Sequence, residues 1–166
     1  MKKPILCLDF DGVIHSYASG WKGAANIPDA PVPGALQFIV EALEGFEVHI
    51  LSSRSHQWGG RRAMKKWLRA HLIASDPAPQ WWFDYICAQS MMEPWDVTVR
   101  DCADTIVSSI KWPFFKPPAM VTIDDRALTF DGTWPAFDRI RAFQPWNKTR
   151  PTAEPLTRPT AREAQG

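Results

Sequence analysis

Cysteine is scarce in this chain. Cys7, Cys87 and Cys102 are the only ones. Their odd number and the absence of zinc-ligand spacing argue against a disulfide scaffold and a structural metal knot, and fit reduced thiols in a cytoplasmic setting. Cys7, inside an apolar run, reads as packing. Charge of one sign is lacking too. The formal net charge is +1, so no bulk field draws the protein to nucleic acid or to an anionic membrane. No apolar run approaches the ~20 residues that span a bilayer. The start, Met1-Lys2-Lys3-Pro4, leads into a short apolar stretch ending in acids, unlike a secretory leader. After Trp146 large apolar side chains almost vanish among Thr, Pro, Arg, Glu and Ala. A single folded domain over residues 1–146 is therefore expected, with residues 147–166 as a disordered tail.

Apolar residues make up 45% of the 166 positions, ample for one buried core. The nine Trp are expected mostly in packing, where large aromatics contribute most. Residues 5–8 form an apolar run fitting a strand buried on both faces. A long stretch rich in Gly and Pro follows, over residues 12–33, and loops of that length are often functional. Residues 35–43 repeat apolar side chains at helical spacing, with Gly45 as a stop. Residues 48–51 read as a second strand and 61–72 as a second helix. Residues 82–88 are a third strand candidate. Residues 96–110 fit either a short helix or an edge strand. Residues 119–123 read as a fourth strand. Strands alternating with helices predict an α/β fold with a central parallel sheet.

The strands end in chemistry. The first runs into Asp9-Phe10-Asp11-Gly12, the second into Ser52-Ser53-Arg54, the last into Asp124-Asp125-Arg126. Ligands of open parallel sheets bind beyond the carboxyl ends of the strands, so these termini should meet in one crevice. Asp9 and Asp11, two apart, lean to one side, and Gly12 permits a sharp turn. Four carboxylates brought together repel one another. A hard divalent cation offsets this, and Mg²⁺ favours oxygen ligands, waters and a substrate phosphate. A carboxylate can also attack phosphorus, while a neighbour moves the proton. Ser52 can supply a hydroxyl to the phosphoryl oxygens, and Lys116 or Lys111 a cation.

The ordered set LDFDGV, ILSSR, KPPA and VTIDDRA resembles the four signature motifs of the haloacid dehalogenase (HAD) superfamily of aspartate-nucleophile phosphohydrolases, over residues 4–134. The resemblance implies a three-layer Rossmann-like catalytic domain over 1–146, with a squiggle and flap after the first strand and a minimal cap. It implies Asp9 as nucleophile and metal ligand, and Asp11 as general acid/base whose backbone carbonyl also meets the metal. Ser52 would bind the phosphoryl group. Asp124 would complete the Mg²⁺ site, with Asp125 as ligand or supporting partner. Lys116 would be the third-motif lysine, with Lys111 as the alternative. Gly12, Ser53, Arg54, Trp21 and Lys22 are the candidate substrate contacts. The expected substrate is a small phosphorylated compound, a nucleotide among them. A nucleic-acid 3′-end phosphatase is the alternative, and a non-catalytic binding module the third reading. An open, minimally capped site would admit bulky substrates.

Plainer readings stand beside these. Arg54 faces either a phosphate or Asp124 and Asp125 as a structural ion pair. His15 and His56 are more readily polar loop residues than metal ligands. Arg61, Arg62, Lys65 and Lys66 are more readily a solvated helix face than a nucleic-acid contact. Arg126 anchors the last loop. Asp131 and Trp134 can close the C-terminal side of the crevice. Residues 89–113 exceed what a compact form needs and fit a small lid or a dimer contact.

Overall fold

The computed structural model describes residues 2–75, 80, 83, 84 and 98–149. Its centre is a parallel sheet built from β1 (Ile5–Asp9), β2 (Glu47–Leu51) and β3 (Val121–Ile123), in the order β2-β1-β3. The register sets Leu6 beside Val48 and Val121, and Leu8 beside Ile50 and Ile123. Side chains two apart share a face, so these pairs make one apolar face. Leu6, Leu8, Val48 and Ile50 join the buried core. Cys7, on the alternate face, is buried but lies outside that core cluster and lines a crevice. Cys7 is thus packed inside the sheet, as read from the sequence, with one side at the crevice.

Helix α1 (Ala35–Gly45) starts where Gly34 takes a left-handed φ of 81°. It buries Ile39, Val40, Ala42 and Leu43, one stripe at helical spacing. Helix α2 (Gly60–Ala74) buries Met64, Trp67, Leu68 and Leu72 in the same way. Gly60 is required there, since a Cβ would stand 2.1 Å from the Arg54 carbonyl oxygen. Residues 96–110, open between helix and strand, contain α3 (Val99–Ser109). Its Thr98 and Asp101 form a reciprocal capping box that satisfies the free N–H groups of the first turn. Cys102, Ala103 and Ile106 of α3 complete the core against α2.

The strand candidate at 82–88 lies mostly outside the described residues, and the two described within it, Phe83 and Asp84, are helical. Cys87 also lies outside them. Lys111 instead occupies the outer edge of β2. Its N–H donates to Val48 O, and its carbonyl accepts from Ile50 N–H, both at 2.9 Å. The last strand is shorter than expected, and its side chains are exposed. Beyond it lie two short helices, α4 (Phe137–Arg141) and α5 (Trp146–Thr149). Trp146 reaches back, its Nε1–H donating to Gly12 O at 2.7 Å. Among the described residues no helix is long and apolar enough to cross a membrane.

Candidate active site

The end of β1 turns sharply. Ile14 and His15 donate their N–H groups to Phe10 O, and Gly12 donates to His15 O. Residues 14–16 then pair with the returning chain, through Ser16 N–H to Ala30 O and Val32 N–H to Ile14 O. This turn fixes Asp9 and Asp11 at the mouth of a crevice of about 360 Å³, lined also by Cys7, Tyr17, Leu51, Ser52, Ser53, His56, Lys116, Thr122, Asp124 and Arg126. The strand ends therefore converge as the sequence implied.

The acids divide into two groups. Asp9, Asp124 and Asp125 each offer an oxygen within 4.8 Å of the others. Burial, reinforced by Asp124, Asp11 and Asp125, pushes the Asp9 carboxyl up to about 7, against the hydrogen bond it accepts from Phe10 N–H. Burial also raises the Asp125 carboxyl, and Asp124 adds to this against the charge of Arg126. The Asp125 side chain is 0% exposed. Neither of its oxygens has a hydrogen-bond partner. Arg126 Nε lies 3.7 Å from Oδ2, too far for a hydrogen bond.

Asp11 stands apart from this trio. Arg54 Nε donates to its Oδ1 at 3.1 Å and to Oδ2 at 2.8 Å, Ser52 Oγ–H donates to Oδ2 at 3.3 Å, and His15 Nδ1 lies 2.9 Å from Oδ1. Burial would raise the Asp11 carboxyl, but the hydrogen bonds from His15 and Arg54, with the Arg54 charge, hold it below the usual carboxylate range. His15 is wholly buried. Its Nε2 lies 3.3 Å from Asp29 N and 3.5 Å from Asp29 Oδ2, so the ring bridges Asp11 and Asp29.

Arg54 is the keystone of this side. It is fully buried, and its Nη1 donates to the carbonyls of Gly23, Ala24 and Asn26. The ring of Trp21 packs on its guanidinium at 4.5 Å. Arg54 thus pairs with Asp11, not with Asp124 or Asp125, and does not line the crevice. Trp21 covers Arg54 and, like the exposed Lys22, lies outside the crevice lining. Gly12 serves as a cradle. At φ +90°, a Cβ there would stand 2.3 Å from Asp125 Oδ2. Ser52, Ser53 and Lys116 do line the crevice, whereas Lys111 does not, and its backbone pairs with the edge of β2.

Tyr17, His56, Thr122 and Arg126 were not singled out as parts of the site, yet all line it. Arg126 lies over the Tyr17 ring at 5.6 Å. Tyr17 itself holds a positive φ of 57°, uncommon for a non-glycine residue and absent from any sequence signal. His15 and His56 do not share a cluster of metal-binding groups among the described residues.

The donor set suits a hard cation. It consists of carboxylate oxygens, and one pair of them is buried with no hydrogen-bond donor and only the more distant charge of Arg126 beside it, a costly burial for an anion. Gly12→Ala tests this packing. A side chain there meets both the backbone strain of positive φ, about 1–2 kcal/mol, and the Asp125 carboxylate. The melting temperature should fall by at least ~2–4 °C, with weaker stabilisation by Mg²⁺. An unchanged melt would show that Asp125 does not pack on residue 12.

No family model matches the chain, and the comparisons with curated proteins and with solved structures found no match.

Proposed function

We propose that the protein is a Mg²⁺-dependent phosphomonoester hydrolase of the HAD type, working through an aspartyl-phosphate on Asp9. One observation carries this reading above the others. A buried carboxylate without a donor, Asp125, adjoins Asp9 and Asp124 at a crevice that also holds a lysine and two serines. An oxygen trap for a hard cation next to hydroxyl and ammonium groups matches the needs of a transferring phosphoryl group. The turn after β1 and the excursion that returns at residues 30–32 correspond, on this reading, to a squiggle and flap.

Asp9, Asp124 and Asp125 would hold the cation, with the Asp11 backbone carbonyl as a further donor. Once bound, it would neutralise the acids and draw charge from the phosphoryl oxygens. Asp9 attacks phosphorus, and the bond from phosphorus to the leaving oxygen breaks. Ser52 and Lys116 donate to the phosphoryl oxygens. Water then attacks phosphorus, the bond to Asp9 breaks, and the carboxylate and inorganic phosphate are released. Asp11 takes the proton of that water. Arg54 and His15 hold Asp11 ionised and so weaken it as a base, and it must loosen from them to take that proton. To protonate a poor leaving group it must first acquire a proton and loosen from Arg54.

Phosphate release from a panel of sugar phosphates, nucleotides and phosphorylated oligonucleotides, with Mg²⁺ and with EDTA, tests the proposal. Turnover is expected with Mg²⁺ and none with EDTA. Turnover insensitive to chelation, or none on any member of the panel, would overturn it.

A further inference from the structure

One side of the crevice mouth carries aromatic surface that phosphoryl transfer does not require. His56 lines the crevice, and its ring lies 5.6 Å, centroid to centroid, from that of Phe115, tilted by 55°. Phe115 directly precedes Lys116, which lines the same crevice, and is 78% exposed. Its neighbour Phe114 is engaged differently, as the platform for Arg61, whose guanidinium stands 3.4 Å from the ring centre. Trp58, two residues beyond His56, is 98% exposed. Two separate connections, the turn after β2 and the approach to β3, thus bring ring faces to one edge of a polar site.

Exposed rings at such an edge forgo burial that would stabilise the fold. They suit a flat, apolar face on the ligand. The crevice adds positive charge through Lys116 and Arg126, both of which line it. Aromatic faces interleaved with cations match a base and its phosphates. A bare sugar phosphate has no flat face to offer.

Resting on the hydrolase reading above, we propose that His56 and Phe115 form a stacking subsite for a nucleobase, making the substrate a nucleobase-bearing phosphate monoester. A mononucleotide and the phosphorylated end of a single strand share this chemistry.

Calorimetric titration of the Asp9→Asn chain with Mg²⁺ tests the subsite apart from turnover. The ligands are thymidine 5′-monophosphate, short single strands phosphorylated at the 3′ or 5′ end, and ribose 5-phosphate as the control without a base. The base-bearing ligands are expected to bind about ten- to hundredfold more tightly than ribose 5-phosphate, the usual range for a base stacked on an aromatic ring. Phe115→Ala should collapse that ratio towards one, and Phe115→Trp should restore it. A salt-dependent advantage of the strands over the mononucleotide would identify the nucleic-acid end as the source, and equal binding would identify the free nucleotide. Equal affinity for ribose 5-phosphate and thymidine 5′-monophosphate would overturn the subsite, as would a ratio untouched by Phe115→Ala. Since this readout is binding, a chain that binds nucleotides through Phe115 yet never hydrolyses them would overturn only the hydrolase reading.

Discussion

Asp9→Asn is expected to lower phosphatase turnover by on the order of 10⁴–10⁶-fold, the scale seen when a nucleophile that acts as part of a unit is removed, while leaving the chain folded. The amide keeps the size of the carboxylate and can still accept from Phe10 N–H, as Asp9 Oδ1 does at 2.8 Å. It cannot attack phosphorus. The same change removes one charge from the repelling trio of Asp9, Asp124 and Asp125. The metal-free variant should therefore melt at a higher temperature than the parent at pH 8. These two readouts move in opposite directions, so a damaged fold cannot imitate them. Phosphate release and thermal melts on the same preparations check both. Undiminished hydrolysis would remove Asp9 from the reaction. A lower melting temperature would show that the acids do not repel as their placement demands.

The clamp on Asp11 gives this chemistry a second requirement. Arg54 joins the Asp11 carboxylate to the carbonyls of residues 23, 24 and 26, so one guanidinium ties the proposed acid/base to the excursion after β1. Any rotation of Asp11 toward a leaving group releases that tie. An ester with a good leaving group needs no proton from Asp11, so the attack of Asp9 on it does not depend on that rotation.

What could be read in the sequence was local. Apolar runs at residues 5–8 and 48–51 are short and end in polar residues, so β1, β2 and their chemistry could be placed directly. Helices α1 and α2 followed from spacing, with Gly34 and Gly45 marking the ends of α1, but α3 was left open between helix and strand, and its capping pair at Thr98 and Asp101 went unread. Partners distant along the chain could not be read. Arg54 meets Asp11 across 43 positions, and no periodicity announces that pairing over one with Asp124 or Asp125. The choice between Lys111 and Lys116 depended on which of them reaches the crevice, and Lys116 lines it while Lys111 does not. Aromatic residues near 82–88 suggested a strand, yet Phe83 and Asp84 are helical, since aromatic propensity is weak beside tertiary context. The exposure of β3 was also hidden, because the pattern 119–123 says only that a strand forms, not what covers it.

Removing the cation should reverse how stability depends on pH. The Asp9 carboxyl sits at about 7 in the folded chain, above an ordinary value near 3.8. Between these values the folded chain binds more protons than the unfolded one, so stability falls as pH rises across that window and stays reduced above about 7. Asp125, raised by burial, acts in the same direction. Asp11 acts oppositely: the support it draws from His15 and Arg54 is present above the ordinary carboxylate value and is lost only as the pH falls below it. After EDTA treatment the protein should therefore melt lower at pH 8 than at pH 5.5. Cation binding needs Asp9 ionised, so below about 7 a bound ion must displace a proton, and affinity weakens as the solution is acidified. Mg²⁺ at a hundred times its dissociation constant contributes about 2.7 kcal/mol, or roughly 5–10 °C for a chain of this size. That rise is expected at pH 8 and should shrink greatly at pH 5.5. In Asp9→Asn the dependence of the metal-free melt on pH should flatten. Scanning calorimetry at both pH values, with Mg²⁺, with EDTA, and with sodium at matched ionic strength, measures each term. A Mg²⁺ effect equal at both pH values, or reproduced by sodium, would mean that these carboxylates hold no specific cation.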